Sequence, residues 1–250
     1  EKSFGERDNL EALNIELKNN AKMYLRGKID RVDTYVDEDK TLIKIIDYKT
    51  GNMKWELDMP FYGRALQLVI YLDAVMEQLT KEGKEVLPAA FFYYHIDSPF
   101  LTRDEAKKEN AFLSKLKPMG IVNTDFNIIK HLDKSIETSS DVIPVMLKKD
   151  GSISKTSSVA STKRIELLRK YVKQKVKNTA ENILSGNIGI TPAIRKGKSS
   201  CEYCPYSAIC EFDEGIEGFA YNNLVKINDD DIWKMMEKDE HVDEGTTGGN

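Results

Sequence analysis

Two alternating strand patterns joined by a short polar turn are the feature that most constrains the fold. Residues 24–36 alternate apolar and polar side chains, and residues 41–49 form a second, more apolar run. The polar sequence DEDK between them, residues 37–40, is typical of a tight turn. The sequence therefore predicts an antiparallel β-hairpin, and a turn centred on the two middle residues places Asp30 opposite Asp47.

Charged side chains stand at the end of the second strand, where burial makes charge costly. Asp47 and Lys49 are two residues apart and share one face of the strand. Directly opposed carboxylates of Asp30 and Asp47 repel each other unless a cation lies between them. Because Mg²⁺ prefers hard oxygen ligands, the pattern predicts a site for Mg²⁺ or Mn²⁺, with the Tyr48 carbonyl as a further ligand and Lys49 beside the attacking water. The alternative is a solvated strand end.

Helical spacing of apolar residues predicts a helix from about Arg64 to Leu79. Gln67 and Tyr71 lie four residues apart on it, one turn after Arg64, and form a polar strip beside the apolar face. Such a strip is either a solvated helix edge or a group of side chains that hold a phosphate, the metal-bound water or a DNA strand. An aromatic strand is predicted at 89–96, and a charged helix near 102–116.

A long helix after a Ser/Thr-rich loop is predicted to end at Gly186. Its inward residues are expected to be Ile165, Leu168, Val172, Val176, Ala180 and Ile183. Four lysines on the opposite face are either solvated or in contact with DNA phosphates. They are Lys163, Lys170, Lys173 and Lys177.

The overall charge does not identify a partner. The chain has 37 Lys and Arg against 41 Asp and Glu, but the two signs are segregated. Residues 163–198 hold ten basic and two acidic residues, whereas residues 211–250 hold twelve acidic residues and three lysines. No apolar run approaches the roughly 18 residues that span a bilayer, so we expect a cytoplasmic protein without a membrane partner. Because the first residue is Glu1 rather than Met, we expect a piece of a longer polypeptide.

The three cysteines of the chain lie within ten residues, in the pattern C-x2-C-x5-C. They are Cys201, Cys204 and Cys210. Clustered cysteines in a cytosolic chain favour a bound metal over disulfides. Zinc and iron-sulfur clusters both take four ligands, and neither a local histidine nor a fourth cysteine completes the set.

The sequences GKIDRVD, IIDYKTG and QLVIYLDA, in this order, resemble the core of RecB-type PD-(D/E)xK nucleases. The resemblance implies an α/β fold, a restriction-endonuclease-like mixed sheet flanked by helices, with a C-terminal cysteine-rich cap. It implies catalytic roles for Asp30, Asp47, Lys49, Gln67 and Tyr71. Gly27 begins the G-x-x-D motif and allows a close approach of another backbone or a substrate. The family usually has a further His or Glu upstream; we expect this residue in sequence that precedes this chain, with Glu11 and Glu16 as the stand-ins within it.

The sequence CEYCPYSAICEFD after GNIGITPAIRKGKSS resembles the nuclease domain in the B subunits of bacterial AddAB-type helicase/nucleases. That resemblance implies a [4Fe-4S] cluster on Cys201, Cys204 and Cys210, with a fourth cysteine upstream of this chain. It also implies exonucleolytic processing of DNA ends in double-strand-break repair, in a heterodimer with an A subunit. This chain has no G-x-x-x-x-G-K-[ST] loop, so ATP hydrolysis is expected elsewhere.

The domain organisation expected from these patterns has three parts. A nuclease domain covers 1–198, with its core at 24–96 and helical additions at 100–186. A cysteine cap follows at 199–227, and residues 228–250 are expected to be an acidic, disordered tail. Two alternative functions are a stand-alone CRISPR-associated RecB-like iron-sulfur exonuclease and a catalytically silent DNA-binding scaffold module.

Overall fold

The computed structural model describes residues 2–5, 11, 13–51, 54–96, 100–105, 112 and 115–246, without the side chains of 241–246. In chain order the strands are β1 (Lys2–Phe4), β2 (Leu13–Glu16), β3 (Lys22–Leu25), β4 (Gly27–Ile29), β5 (Arg31–Asp37), β6 (Lys40–Lys49), β7 (Glu85–His95), β8 (Met119–Asn123), β9 (Val159–Ala160), β10 (Ala193–Arg195), β11 (Lys198–Ser199) and β12 (Asn222–Asn223). The helices are α1 (Asp58–Phe61), α2 (Gln67–Lys81), α3 (Phe126–Leu132), α4 (Thr162–Leu184), α5 (Ser207–Cys210) and α6 (Asp229–Thr246), and a 3-10 turn covers Lys18–Asn20.

A mixed five-stranded sheet, in the order β5-β6-β7-β8-β9, forms the centre of the fold. Its neighbouring strands are antiparallel, parallel, antiparallel and parallel in turn. The predicted hairpin is confirmed for residues 31–37, because Arg31 lies opposite Ile46 and Val32 opposite Ile45. The same register brings Asp30, the residue before β5, to the level of Asp47. The first half of the predicted strand 24–36 is wrong, because it belongs to β3 and β4, which pair with β2 and β1 instead.

Alternation along β6 buries the two faces of the sheet in different cores. Ile43 and Ile45 face the core that holds α2 and α4. Ile46 faces a second core, which includes Phe92 and Ile129 of α3. Asp47 and Lys49 continue the row of Ile43 and Ile45, so they lie on the face that α2 covers. The mixed sheet flanked by helices confirms the predicted fold class.

The helix that follows the hairpin begins later than predicted. Gly63 and Ala65 have positive φ angles of 76° and 50°, and α2 starts only at Gln67. Arg64 therefore lies in the turn before α2 rather than one helical turn below Gln67. Strand β7 begins at Glu85, before the predicted 89, and most of the predicted helix near 102–116 lies outside the described residues.

The long helix α4 agrees with the sequence prediction except at its end. The Ser161 side chain accepts a hydrogen bond from the Arg164 N–H and caps the helix. The prediction that Ile183 faces inward is wrong, because this residue is 70% exposed. It lies in the last turn of the helix, beside the exposed Leu184. Gly186 follows with a φ of 73°, as a helix stop requires.

The C-terminal region differs from the prediction. Residues Asp229–Thr246 form α6 instead of a disordered tail, and Ile232, Trp233 and Met236 are buried in the main core. Three apolar residues at helical spacing outweigh the acidic composition that suggested disorder. The small sheet β11-β10-β12 also spans the expected boundary at residue 198. Within the described part of the chain, no helix is long and apolar enough to cross a membrane.

Candidate active site

The end of β6 carries the residues predicted to form the site. Asp47 is only 2% exposed, and Lys49 is half-buried beside it. Asp30 occupies a bend between β4 and β5, and its Oδ2 accepts a hydrogen bond of 2.9 Å from the Tyr48 N–H. This bond fixes the Asp30 carboxylate against the end of the neighbouring strand.

A chain of polar contacts links β6 to the first turns of α2. The Lys49 ammonium forms an ion pair with Asp47 Oδ2 and donates a 2.9 Å hydrogen bond to Gln67 Oε1. Gln67 Nε2 in turn donates a 2.7 Å bond to the Tyr71 hydroxyl. Asp47, Lys49, Gln67 and Tyr71 therefore form one connected group, and both ends of the Gln67 amide are used within it.

The electrostatics at Asp47 favour a cation. Burial raises the pKa of the Asp47 carboxyl, Lys49 lowers it, and the negative charge of Asp30 raises it further, with a net upward shift. The positive charge of Lys49 therefore lowers the pKa of Asp47 by less than burial and the charge of Asp30 together raise it. A divalent cation between Asp30 and Asp47 would favour the charged form of both groups.

The oxygen atoms at this point fit a hard divalent cation. Asp47 Oδ2 is buried and pairs with the Lys49 ammonium, and among the described residues no second donor reaches it. The N–H and C=O of a strand residue point to the same edge, so the Tyr48 carbonyl faces the side of Asp30. Two carboxylates and a carbonyl are the donor types that Mg²⁺ takes.

Gly27 is explained by two aromatic rings. It lies opposite Phe4 in the antiparallel pair β1-β4. A Cβ atom at Gly27 would lie 2.6 Å from Phe4 Cε1 and 3.1 Å from Tyr71 Cε1. The Phe4 and Tyr71 rings pack edge to face with centroids 5.8 Å apart. The close approach predicted for Gly27 is therefore made by aromatic side chains that hold Tyr71 in place.

Comparison with known proteins identifies the family of this site. Residues 2–211 match the family model described as the PD-(D/E)XK nuclease superfamily. The chain belongs to the PD-(D/E)XK nuclease superfamily. The RecB-type resemblance of its motifs is thereby confirmed at the level of the superfamily.

Curated relatives of this PD-(D/E)XK chain share one name, which describes the B subunit of an ATP-dependent helicase/deoxyribonuclease. The protein of Thermoanaerobacter sp. (strain X514) is 42% identical, and the match covers 97% of this chain and 22% of the relative's length. Those of Clostridium kluyveri (strain NBRC 12016) and Clostridioides difficile (strain 630) are 41% and 39% identical, covering 94% and 96% of this chain. The chain spans about a fifth of the length of these relatives.

Among the described residues, the contacts that join Asp30, Asp47, Lys49, Gln67 and Tyr71 do not include three other predicted residues, Arg64, Glu11 and Glu16. Arg64 is half-buried in the turn before α2, where its N–H donates to the Met59 carbonyl. Glu11 pairs with Lys81 at the far end of α2, with 2.6 Å between the carboxylate and the ammonium group. Glu16 is exposed on β2. Neither glutamate therefore joins the site.

The four lysines of α4 do not form a uniformly solvated basic face. Lys170 lies 2.6 Å from Glu240 of α6, and Lys173 forms an ion pair with Glu77 of α2. Lys163 is exposed, and Lys177 is half-buried. Acidic side chains from two other helices thus pair with two of the four lysines that the sequence predicted to be either solvated or in contact with DNA.

The cysteines lie in the small C-terminal module and are half-buried free thiols. Cys201 and Cys204 share a turn, in which the Cys204 N–H donates to the Cys201 carbonyl, and Cys210 ends α5. Within the described residues, no group of three or more His, Cys, Asp or Glu side chains is arranged to hold a metal ion. The thiols suit iron or zinc as donors, but their arrangement does not form a complete cluster site.

Strand β7 places two residues at the site that the sequence prediction missed. In the parallel register Tyr93 lies beside Asp47, and His95 lies beside Lys49. The Ile96 N–H donates a 3.0 Å hydrogen bond to the Lys49 carbonyl and holds the two strand ends together. The aromatic run at 89–96 indicated a buried strand, but only the pairing of β6 with β7 brings these residues to the site.

Proposed function

We propose that this chain is a Mg²⁺-dependent deoxyribonuclease domain with exonuclease activity. The observation that supports this most strongly is the meeting of Asp30, Asp47 and Lys49 at one strand end, in a chain of the PD-(D/E)XK nuclease superfamily. Asp30, Asp47 and the Tyr48 carbonyl would hold the cation, which would activate a water molecule and offset charge at the scissile phosphate.

Each remaining side chain has a task in phosphodiester hydrolysis. Lys49 would orient the attacking water and stabilise negative charge that develops on the phosphate oxygens. Gln67 would keep Lys49 in position, since its Oε1 accepts from the ammonium group and its Nε2 donates to Tyr71. This assigns Gln67 a positioning role rather than the direct phosphate contact that its helical spacing suggested.

The names of the relatives support a wider context for this domain. We infer that it is part of the B subunit of a helicase/nuclease, acts on DNA ends in double-strand-break repair, and works with an A subunit in the cytoplasm. ATP hydrolysis would take place in other parts of that complex. These names favour this context over the stand-alone CRISPR-associated exonuclease.

The cysteine module is proposed to bind a [4Fe-4S] cluster together with a thiolate from outside this chain. The clustered cysteines support a bound metal, and the resemblance to AddAB-type B subunits favours iron over zinc. Such a cluster would hold the module to a distant chain segment. Anaerobic reconstitution of the whole subunit that contains this chain, with iron and sulfide, should give the broad visible absorption of a cluster, reduced in Cys204→Ser. Equal absorption by both proteins would contradict the assignment.

Lys49→Ala tests the catalytic assignment with linear DNA and Mg²⁺. We expect the cleavage rate to fall by about 100-fold or more, as for removal of a positioned acid-base or electrostatic group. Lys44→Ala is the matched control, because Lys44 lies on the opposite face of β6 and pairs with Asp33 at 2.8 Å. Equal cleavage by Lys49→Ala and the wild-type chain would reject the role of Lys49 and favour the silent scaffold alternative.

A further inference from the structure

A second buried polar atom lies next to Asp47. Tyr93 is fully buried on β7 and paired side by side with Asp47 in the parallel register. Among the described residues, its hydroxyl has no hydrogen-bond partner. A buried hydroxyl without a partner destabilises a fold, so a Phe at this position would be more favourable unless the hydroxyl has a role.

Asp47 Oδ2 is the complementary atom. It is a buried acceptor that pairs with the Lys49 ammonium and can accept from a second donor, whereas the Tyr93 hydroxyl is a buried donor without an acceptor among the described residues. Side chains of laterally paired strand residues point to the same face, and neighbouring strands lie about 4.8 Å apart. The Lys49 ammonium, which pairs with Asp47, lies 5.4 Å from the centre of the Tyr93 ring, so all three groups share one small volume.

Tyr93 suits the role of a donor, because a tyrosine hydroxyl carries its proton at neutral pH.

We propose that Tyr93 is a positioning residue, whose hydroxyl donates to Asp47 Oδ2, directly or through one water molecule, and orients that carboxylate for a divalent cation. This inference rests on the metal-binding role proposed for Asp47. This hydrogen bond would give the Tyr93 hydroxyl an acceptor, hold Asp47 Oδ2 from a second side beside Lys49, and leave Asp47 Oδ1 for the cation. Partners that orient a ligating carboxylate in this way commonly change metal affinity by about 10- to 100-fold.

A double-mutant cycle in the metal-free chain tests the contact itself. We expect Tyr93→Phe to lower the urea midpoint of unfolding in the wild-type background, because it removes a donor to a buried carboxylate. In the Asp47→Ala background the same change should leave the midpoint unchanged or raise it. The matched control is Tyr94→Phe, which removes a hydroxyl from the opposite face of β7 and should act equally in both backgrounds. An equal effect of Tyr93→Phe in the two backgrounds overturns the proposal.

Mn²⁺ binding, followed by the electron paramagnetic resonance signal of the free ion, tests the positioning role without an activity assay. Tyr93→Phe should weaken Mn²⁺ binding about 10-fold or more, whereas Tyr94→Phe should bind like the wild-type chain. Unchanged affinity in Tyr93→Phe overturns the positioning role even if the stability coupling is present, and leaves the proposed function intact. A wild-type chain that binds no Mn²⁺ overturns the proposed metal site and the role of Tyr93 with it.

Discussion

Burial of the Asp47 carboxyl beside Asp30 raises its pKa above the usual 3.8, so the folded chain favours the protonated form. Ionisation of Asp47 therefore destabilises the metal-free fold as the pH rises through this raised pKa. Asp33, on the same hairpin, has the opposite behaviour. Burial raises its pKa, but Arg31 and Lys44 lower it by more, so its ionised form stabilises the fold. The pKa of Asp47, the proposed metal ligand, is therefore raised, whereas the pKa of Asp33, which forms ion pairs within the hairpin, is lowered.

Asp47→Asn should gain stability relative to the metal-free wild-type chain as the pH rises from 4 to 8. The reason is that Asn cannot acquire the buried charge that penalises Asp47 above pH 3.8. Asp33→Asn should show the opposite trend and lose stability relative to wild type as the pH rises from about 2 to about 5, because the pKa of Asp33 is lowered from 3.8 in the folded chain. Urea unfolding at several pH values measures both, and trends of the same sign for the two variants would contradict the electrostatic account.

At the scale of elements, the site depends on how β1, β4 and α2 meet. Phe4 of β1 lies opposite Gly27 of β4, and its ring contacts Tyr71 of α2. Tyr71 then accepts a hydrogen bond from Gln67, which holds Lys49. A substitution at Gly27, which has no side chain in the site, can therefore displace Lys49 through Tyr71 and Gln67.

Gly27→Ala should destabilise the chain by about 1–3 kcal/mol, as expected for overpacking against the buried Phe4 ring. The new methyl group would lie 2.6 Å from a ring atom of Phe4, which is almost fully buried and cannot move away freely. Gly51→Ala is the matched control, since nothing lies within 4 Å of a Cβ at that position. Urea unfolding compares the two, and a Gly27→Ala variant as stable as Gly51→Ala would contradict this packing.

Local patterns predicted the elements of the site because its main contacts follow from short-range geometry. The turn DEDK and the alternation of two strands were enough to bring Asp30 to the level of Asp47. Helical spacing was enough to place Gln67 and Tyr71 on one face of α2. The start of α2 was missed, because positive φ angles at Gly63 and Ala65 keep Arg64 outside the helix.

At the scale of the whole molecule, pairing between distant segments decides what local patterns cannot. The parallel pairing of β6 with β7 brings Tyr93 beside Asp47, across 46 positions of sequence that include α2. Helix α6 packs Trp233 into the core and places Glu240 on Lys170, so an expected disordered tail is part of the fold and offsets an expected DNA contact. Neither arrangement can be predicted from the local composition of the sequence.

The central claim of this account is that Asp30 and Asp47 together bind a divalent cation. Calorimetric titration of the 250-residue chain with Mn²⁺ tests it most directly, with the Asp30→Asn/Asp47→Asn double variant as comparison and Asp33→Asn as control. The account predicts a binding heat in the wild-type chain and in Asp33→Asn that is lost in the double variant. Equal heat from the double variant and the wild-type chain, or no heat from the wild-type chain, would contradict it.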